Sequence, residues 1–220
     1  MSASPYPDQD ATRREAALAE YAVMDTPAEP AFDRLVQEAA GFCQTPIAVM
    51  SLLDRRRQWF KARVGVDLTE TPIEHAVCAL ASGDEKLLVI SDLTKDPRTA
   101  GNPLVTGEPR VRFYAGAPIR LADGLRVGSL CVVDTVPRPQ GLSSSQGDRM
   151  LQLAGRAEVL LDERKGRQAP ASPAAPARHA PGHFDEKGLL DLHAHARAQG
   201  LSAAEAFFRL TIEALAKRKE

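Results

Sequence analysis

Two pairs of residues in this 220-residue chain combine reactive groups at spacings that bring them together. His75 and Cys78 stand three apart, which on a helix puts them on one face. An imidazole beside a thiol lowers the thiol's pKa and makes it a nucleophile or a redox sensor. The same spacing also fits a buried thiol with a solvent-facing imidazole. Arg112 and Tyr114 stand two apart, so on a strand both point to the side opposite Phe113. A guanidinium beside a polar-tipped ring suits a small anionic or planar ligand. A solvent-facing cation–π pair would use the same residues.

Other chemistry-bearing residues are more scattered. Asp92, Asp96, Arg98 and Asn102 fall in a long connection, Ser91 to Pro109. A connection of that length inside a compact domain is usually functional or mobile. Its polar residues would line or lid a pocket, or else close local Asx-turns. Cys43, Cys78 and Cys131 are odd in number and widely spaced, with no C-x-x-C pair. Their default reading is three small buried hydrophobes in a reducing cytosol. His179-x-x-x-His183 has metal-like spacing but lies in a Pro/Ala stretch without a third ligand, so no metal is expected. No cofactor is called for.

These groups need a scaffold. The composition, 44% apolar and 26% charged, is that of a globular protein able to build a core. A formal charge of −1 gives no field that would gather nucleic acid non-specifically. The first residues show no basic-then-apolar leader, and no apolar run is long enough to span a bilayer. The expectation is a cytoplasmic protein without a membrane partner.

Periodicity supplies the elements. Helices are predicted over Ala11–Tyr21 and after Thr26-Pro27-Ala28-Glu29, a capping-box pattern. Ile47–Leu53 reads as a central strand apolar on both sides. Gln58–Gly65 alternates, with Phe60, Ala62 and Val64 on one side and Trp59, Lys61 and Arg63 on the other. Thr71-Pro72-Ile73-Glu74 repeats the capping pattern and predicts a short helix to about Ser82, which would carry His75 and Cys78. Leu87–Ile90, Val111–Ile119 and Leu125–Val133 read as strands, the last two joined at Asp123-Gly124. Ser143–Ser145 can cap a long helix. The expected fold is α+β: a central antiparallel sheet of five to six strands with helices on one face, plus a C-terminal helical hairpin. The expected divisions are a domain over residues 1–165, a Pro/Ala-rich linker over 166–182 and a helical tail over 183–220.

From about Ala16 to Leu161 the chain resembles the bacterial GAF domains found upstream of histidine kinases and diguanylate cyclases. The resemblance rests on Met24-Asp25-Thr26-Pro27, Phe32-Asp33-Arg34-Leu35 and Pro46-Ile47-Ala48-Val49. It continues through Arg57-Gln58-Trp59-Phe60-Lys61, Asp96-Pro97-Arg98 and Asn102-Pro103-Leu104-Val105. It ends with Arg112-Phe113-Tyr114-Ala115-Gly116-Ala117-Pro118 and Gly128-Ser129-Leu130-Cys131-Val132-Val133-Asp134. It implies a ligand pocket on the sheet side away from the helices. Where relatives carry Phe-Cys-Ala-His, this chain has Val77-Cys78-Ala79-Leu80. The cyclic-nucleotide and bilin signatures of other GAF domains are absent.

The resemblance implies a small-ligand-sensing or regulatory domain in signal transduction, not an enzyme. It would act through a partner protein or its helical tail, as a homodimer. The ligand would meet Arg112, Tyr114, Cys78, His75, Asp92 and Asn102. One alternative is a thiol enzyme like free methionine sulfoxide reductase, which would need paired cysteines in one pocket. Another is an ANTAR-like RNA-binding regulator, suggested by Leu201–Leu210, for which Lys217, Arg218 and Lys219 supply little charge; nucleic acid is therefore not the expected partner.

Overall fold

The computed structural model describes residues 8–80 and 85–168. The tail, most of the linker, the pair His179 and His183 and the ANTAR-like stretch lie outside the described residues. Helices α1 (Asp8–Tyr21) and α2 (Pro30–Cys43) precede strands β1 (Ile47–Leu53), β2 (Arg57–Val64) and β3 (Glu70–Pro72). Two 3₁₀ turns, Ile73–His75 and Val77–Leu80, lead to β4 (Leu88–Ile90) and a short helix α3 (Pro103–Thr106). The hairpin β5 (Phe113–Arg120) and β6 (Arg126–Asp134) and the long helix α4 (Ser144–Gln168) complete the domain. The strands form one antiparallel sheet in the order β3-β2-β1-β6-β5-β4.

Alternation along the strands sorts side chains into two cores, one on each side of the sheet. Every residue of β1 is buried, as a two-sided apolar strand requires. Ala48, Met50 and Leu52 join Phe113, Ala115, Ala117 and Ile119 beneath the helices. Val49, Tyr114 and Cys131 belong to the second core on the opposite side, with Val77 and Cys78 from the 3₁₀ turn. Helix α4 begins as the serine cluster predicts. Ser143 Oγ accepts from the Gln146 amide, and the Ser143 amide donates to the Gln146 side chain, a reciprocal capping box.

Three expectations are corrected, and a single lysine accounts for two of them. The register between β1 and β2 shifts between Met50 and Ser51, whose partners are Ala62 and Phe60. Lys61 is the residue left over in this bulge. Phe60 therefore faces the second core, while Trp59, Ala62 and Val64 pack under the helices. The Lys61 side chain also reaches the helix side, with no solvent exposure. Its ammonium donates to Glu29 at 2.6 Å, to Thr26 Oγ1 at 2.8 Å and to the Pro27 carbonyl at 2.9 Å. Thr26 and Glu29 are thus occupied by the lysine and do not form a capping box. Helix α2 starts instead at Pro30, and its N-cap Glu29 makes no side-chain cap bond. The same carboxylate accepts from Arg164 of α4 at 2.8 Å, and Arg164 also donates to the Tyr21 and Ala22 carbonyls. The third correction is the helix expected after Thr71. Thr71 pairs with Gln58 as part of β3, so the chain is still extended where the cap was expected. Two 3₁₀ turns follow, interrupted by the extended backbone of Ala76.

Burial alone would raise the Glu29 pKa; hydrogen bonds from Lys61 and Arg164 outweigh it and hold the carboxyl below its ordinary 4.5. A carboxyl depressed on folding stabilises the fold above its unfolded pKa and loses that contribution as pH falls through the folded value. We expect Lys61→Met to destabilise the domain by about 3 kcal/mol, the low end for breaking a buried pair, because Glu29 retains Arg164 and partial contact with water. Urea midpoints at neutral pH check this. The same titration repeated below pH 4.5 should show a loss of stability in the parent that is shallower in Glu29→Gln.

Candidate functional site

The second core is incompletely filled. A cavity of about 80 Å³ lies on the non-helical side of the sheet. Its floor is Val49 of β1, Phe60 of β2, Tyr114 of β5 and Cys131 of β6, and its wall is Thr71 of β3. Val77 and Cys78 of the 3₁₀ turn and Leu93, Leu104 and Val111 of the long connection form its roof. Leu68, 44% exposed, stands at its rim with Pro109. None of the lining side chains is charged. A larger groove of about 820 Å³ runs beside β2, but it is an open trough containing Asp25 and Glu70, both already paired with Arg57.

The long connection roofs the cavity through its own hydrogen bonds. Asp92 accepts from the Thr94 amide and hydroxyl, and Asp96 accepts from the Arg98 amide and guanidinium. Thr99 Oγ1 donates to the Leu93 carbonyl, and the Val111 amide donates to the Leu104 carbonyl. These turns push Leu93 and Val105 inward, both essentially without exposure. The polar residues of the connection therefore build its turns.

The six predicted site residues separate into two groups. Cys78 and Tyr114 line the cavity. Arg112, His75, Asp92 and Asn102 do not. Arg112 precedes β5 and donates to the Val105 and Val111 carbonyls at 2.8 and 2.9 Å, which ties the roof to the sheet. Asn102 caps α3 by accepting from the Leu104 amide and donates from its side chain to the His75 carbonyl at 2.9 Å. Asp92 closes an Asx-turn and pairs with Lys95. With the helix absent, His75 and Cys78 sit in separate turns and the shared helix face does not exist.

The thiols lie in apolar surroundings. Burial raises the Cys78 pKa, against a smaller opposing influence of Arg126. Burial also raises the Cys131 pKa, with Cys78 adding to the effect. Ser51 Oγ lies 3.7 Å from Cys78 Sγ, and Cys131 Sγ donates to the Val49 carbonyl at 3.5 Å. Protonated thiols of this kind behave as small hydrophobes. The floor also depends on Gly116. A Cβ there would stand 2.2 Å from the Tyr114 hydroxyl, so the absence of a side chain lets the tyrosine ring lie across the strand.

Sequence reasoning missed Thr71. It is 5% exposed, and its hydroxyl has no hydrogen-bond partner among the described residues. Its place in a capping-box pattern hid it; the competing signal was the strand-forming pair Thr69 and Thr71 next to Pro72.

No described helix is long and apolar enough to cross a membrane. A cyclic di-GMP phosphodiesterase of Pseudomonas aeruginosa is 44% identical over 138 residues, 63% of this chain and 23% of that protein. The chain thus spans about a quarter of the length of this relative. The finding corrects the expectation that the chain is not an enzyme, since the protein sharing these residues is named as one. Among solved structures, the GAF domain of an Acinetobacter phosphoenolpyruvate-protein phosphotransferase matches at 14% identity, over 74% of this chain and 98% of that one, with a TM-score of 0.48. A free methionine-R-sulfoxide reductase from Neisseria meningitidis matches at 17%, over 74% and 95%, with a TM-score of 0.47. The model of the GAF domain family matches residues 27–161, more than half of the sequence and every strand of the sheet. With a six-stranded antiparallel sheet carrying α1, α2 and α4 on one side, the chain belongs to the GAF domain family.

Proposed function

We propose that this GAF domain is a regulatory input module in cyclic di-GMP signalling, and that a small molecule in the apolar cavity sets its state. The cavity is the observation that carries the reading: a roofed space between the sheet and a connection that holds its own shape. The cyclic di-GMP context comes from the name of the 44%-identical relative. In this reading Cys78 and Tyr114 meet the ligand, while Arg112, His75, Asp92 and Asn102 hold the roof.

Strand β2 offers a route outward. Phe60 lines the cavity, and the next residue, Lys61, holds Glu29, which holds Arg164 of α4. A guest that displaces Phe60 works directly against the bulge that places Lys61. Helix α4 also presents Leu151 and Val159, 36% and 56% exposed, on one stripe with Gly155 between them. In this reading a second copy of the chain covers that stripe, and the partner protein or the tail receives the signal.

Val49→Phe fills the cavity and should fix the domain in one state at a stability cost of about 1–3 kcal/mol. Cells producing that variant in the full-length chain should show a several-fold change in cyclic di-GMP relative to the parent; levels equal to the parent's would remove the regulatory reading. Val159→Glu should turn a dimer into a monomer in sedimentation velocity while circular dichroism shows the domain still folded, because Val159 is more than half exposed in its own domain.

A further inference from the structure

We infer that the cavity takes a compact, uncharged, mainly apolar molecule bearing one hydroxyl or carbonyl group, and that Thr71 is the residue that reads this group. The inference rests on the sensory reading of the cavity and adds to it the chemistry of the guest. Four observations converge on it.

The first is charge. The lining contains no acidic or basic side chain, so an ionised guest would lose its water and gain no counter-charge. The second is size. About 80 Å³ corresponds to roughly six water-sized probes at 10–15 Å³ each, the scale of a single small ring or short chain. Nucleotide-sized ligands belong to far larger pockets. The third is the set of polar groups already engaged. Cys131 Sγ donates to the Val49 carbonyl and has a hydrogen bond with Tyr114, while Cys78 faces Ser51.

The fourth is Thr71. Its buried hydroxyl is in the wall and lacks a partner among the described residues. A buried hydroxyl left unpaired is unfavourable, so a guest that supplies a donor or acceptor there gains more than its apolar contacts alone provide. Gln58 stands opposite Thr71 in the β2–β3 register and lines the same end of the cavity, which makes that end the polar one. The rim at Leu68 and Pro109 is apolar, so an uncharged molecule meets no polar barrier on its way in.

Phenol, toluene and benzoate separate these requirements because they share a ring and differ only in the group it carries. Each is titrated into the full-length chain with ¹³C-labelled methyl groups, and the Val77, Leu104 and Val111 resonances are followed. Phenol should shift them saturably, with an affinity about tenfold higher than toluene, and benzoate should leave them in place. In Thr71→Val, which keeps the shape of the side chain, phenol should fall to the toluene level while toluene is unchanged. If phenol keeps its advantage in Thr71→Val, or benzoate competes with phenol, the proposed ligand chemistry is overturned and the sensory site stands. If neither phenol nor toluene moves these methyl groups, both the chemistry and the sensory reading are overturned. Comparing the methyl spectra of Thr71→Val and parent before titration establishes that the fold is intact.

Discussion

A lysine ammonium with no water contact can be tolerated only if other groups replace its hydration, and that requirement organises this domain. Lys61 obtains a carboxylate, a hydroxyl and a carbonyl from the single connection between α1 and α2. To deliver them, that connection must lie against β2 at Lys61, so Thr26 and Glu29 do not act as a helix cap and α2 begins at Pro30. Glu29 then carries an oxygen shared with Arg164, which ties α4 to the turn at Tyr21 and Ala22. A buried charge pair is weak evidence for stability, because desolvation offsets much of the attraction. What this network supplies is position: two helices, a connection and a strand meet at one arrangement of donors and acceptors.

The bulge at Lys61 has a second consequence on the far side of the sheet. Without the extra residue, strict alternation would place Phe60 with Ala62 and Val64 on the helix side. With it, Phe60 turns to the other face and becomes part of the cavity floor. One inserted residue thus supplies a cation to one core and an aromatic ring to the other.

The sequence made much of the fold legible. Strand β1 was visible as an uninterrupted apolar run, and β5 as the alternation of Phe113, Ala115, Ala117 and Ile119, because both patterns come from burial imposed by the sheet. The serines before α4 announced a cap that the structure forms. What misled was chemistry available for more than one purpose. Thr-Pro-x-Glu satisfies a helix start on paper, yet at Thr26 the tertiary demand of Lys61 claimed the side chains, and at Thr71 pairing with β2 claimed the backbone. The candidate site was legible only in part for the same reason. Tyr114 followed from strand parity, whereas the polar residues of Ser91–Pro109 were eye-catching because they build turns. The residue of greatest consequence in the wall, Thr71, carries a common hydroxyl whose significance lies in having no partner among the described residues, a property no local pattern reveals.

An uncharged cavity also constrains how such a site can communicate. A charged ligand acts over several ångströms through its field, but a neutral guest among apolar side chains acts through contact and displacement. In the proposed reading, a response begins with a side chain that touches both the cavity and a two-sided element. Tyr114 is restrained by Gly116 beneath its ring and by Cys131 beside it, and the roof is restrained by Arg112. Phe60 adjoins the bulge, where the ladder to β1 is already interrupted and the strand can yield with fewer bonds to break. In the proposed reading this bulge is the softest path, and it ends on α4, whose exposed side includes Leu151 and Val159.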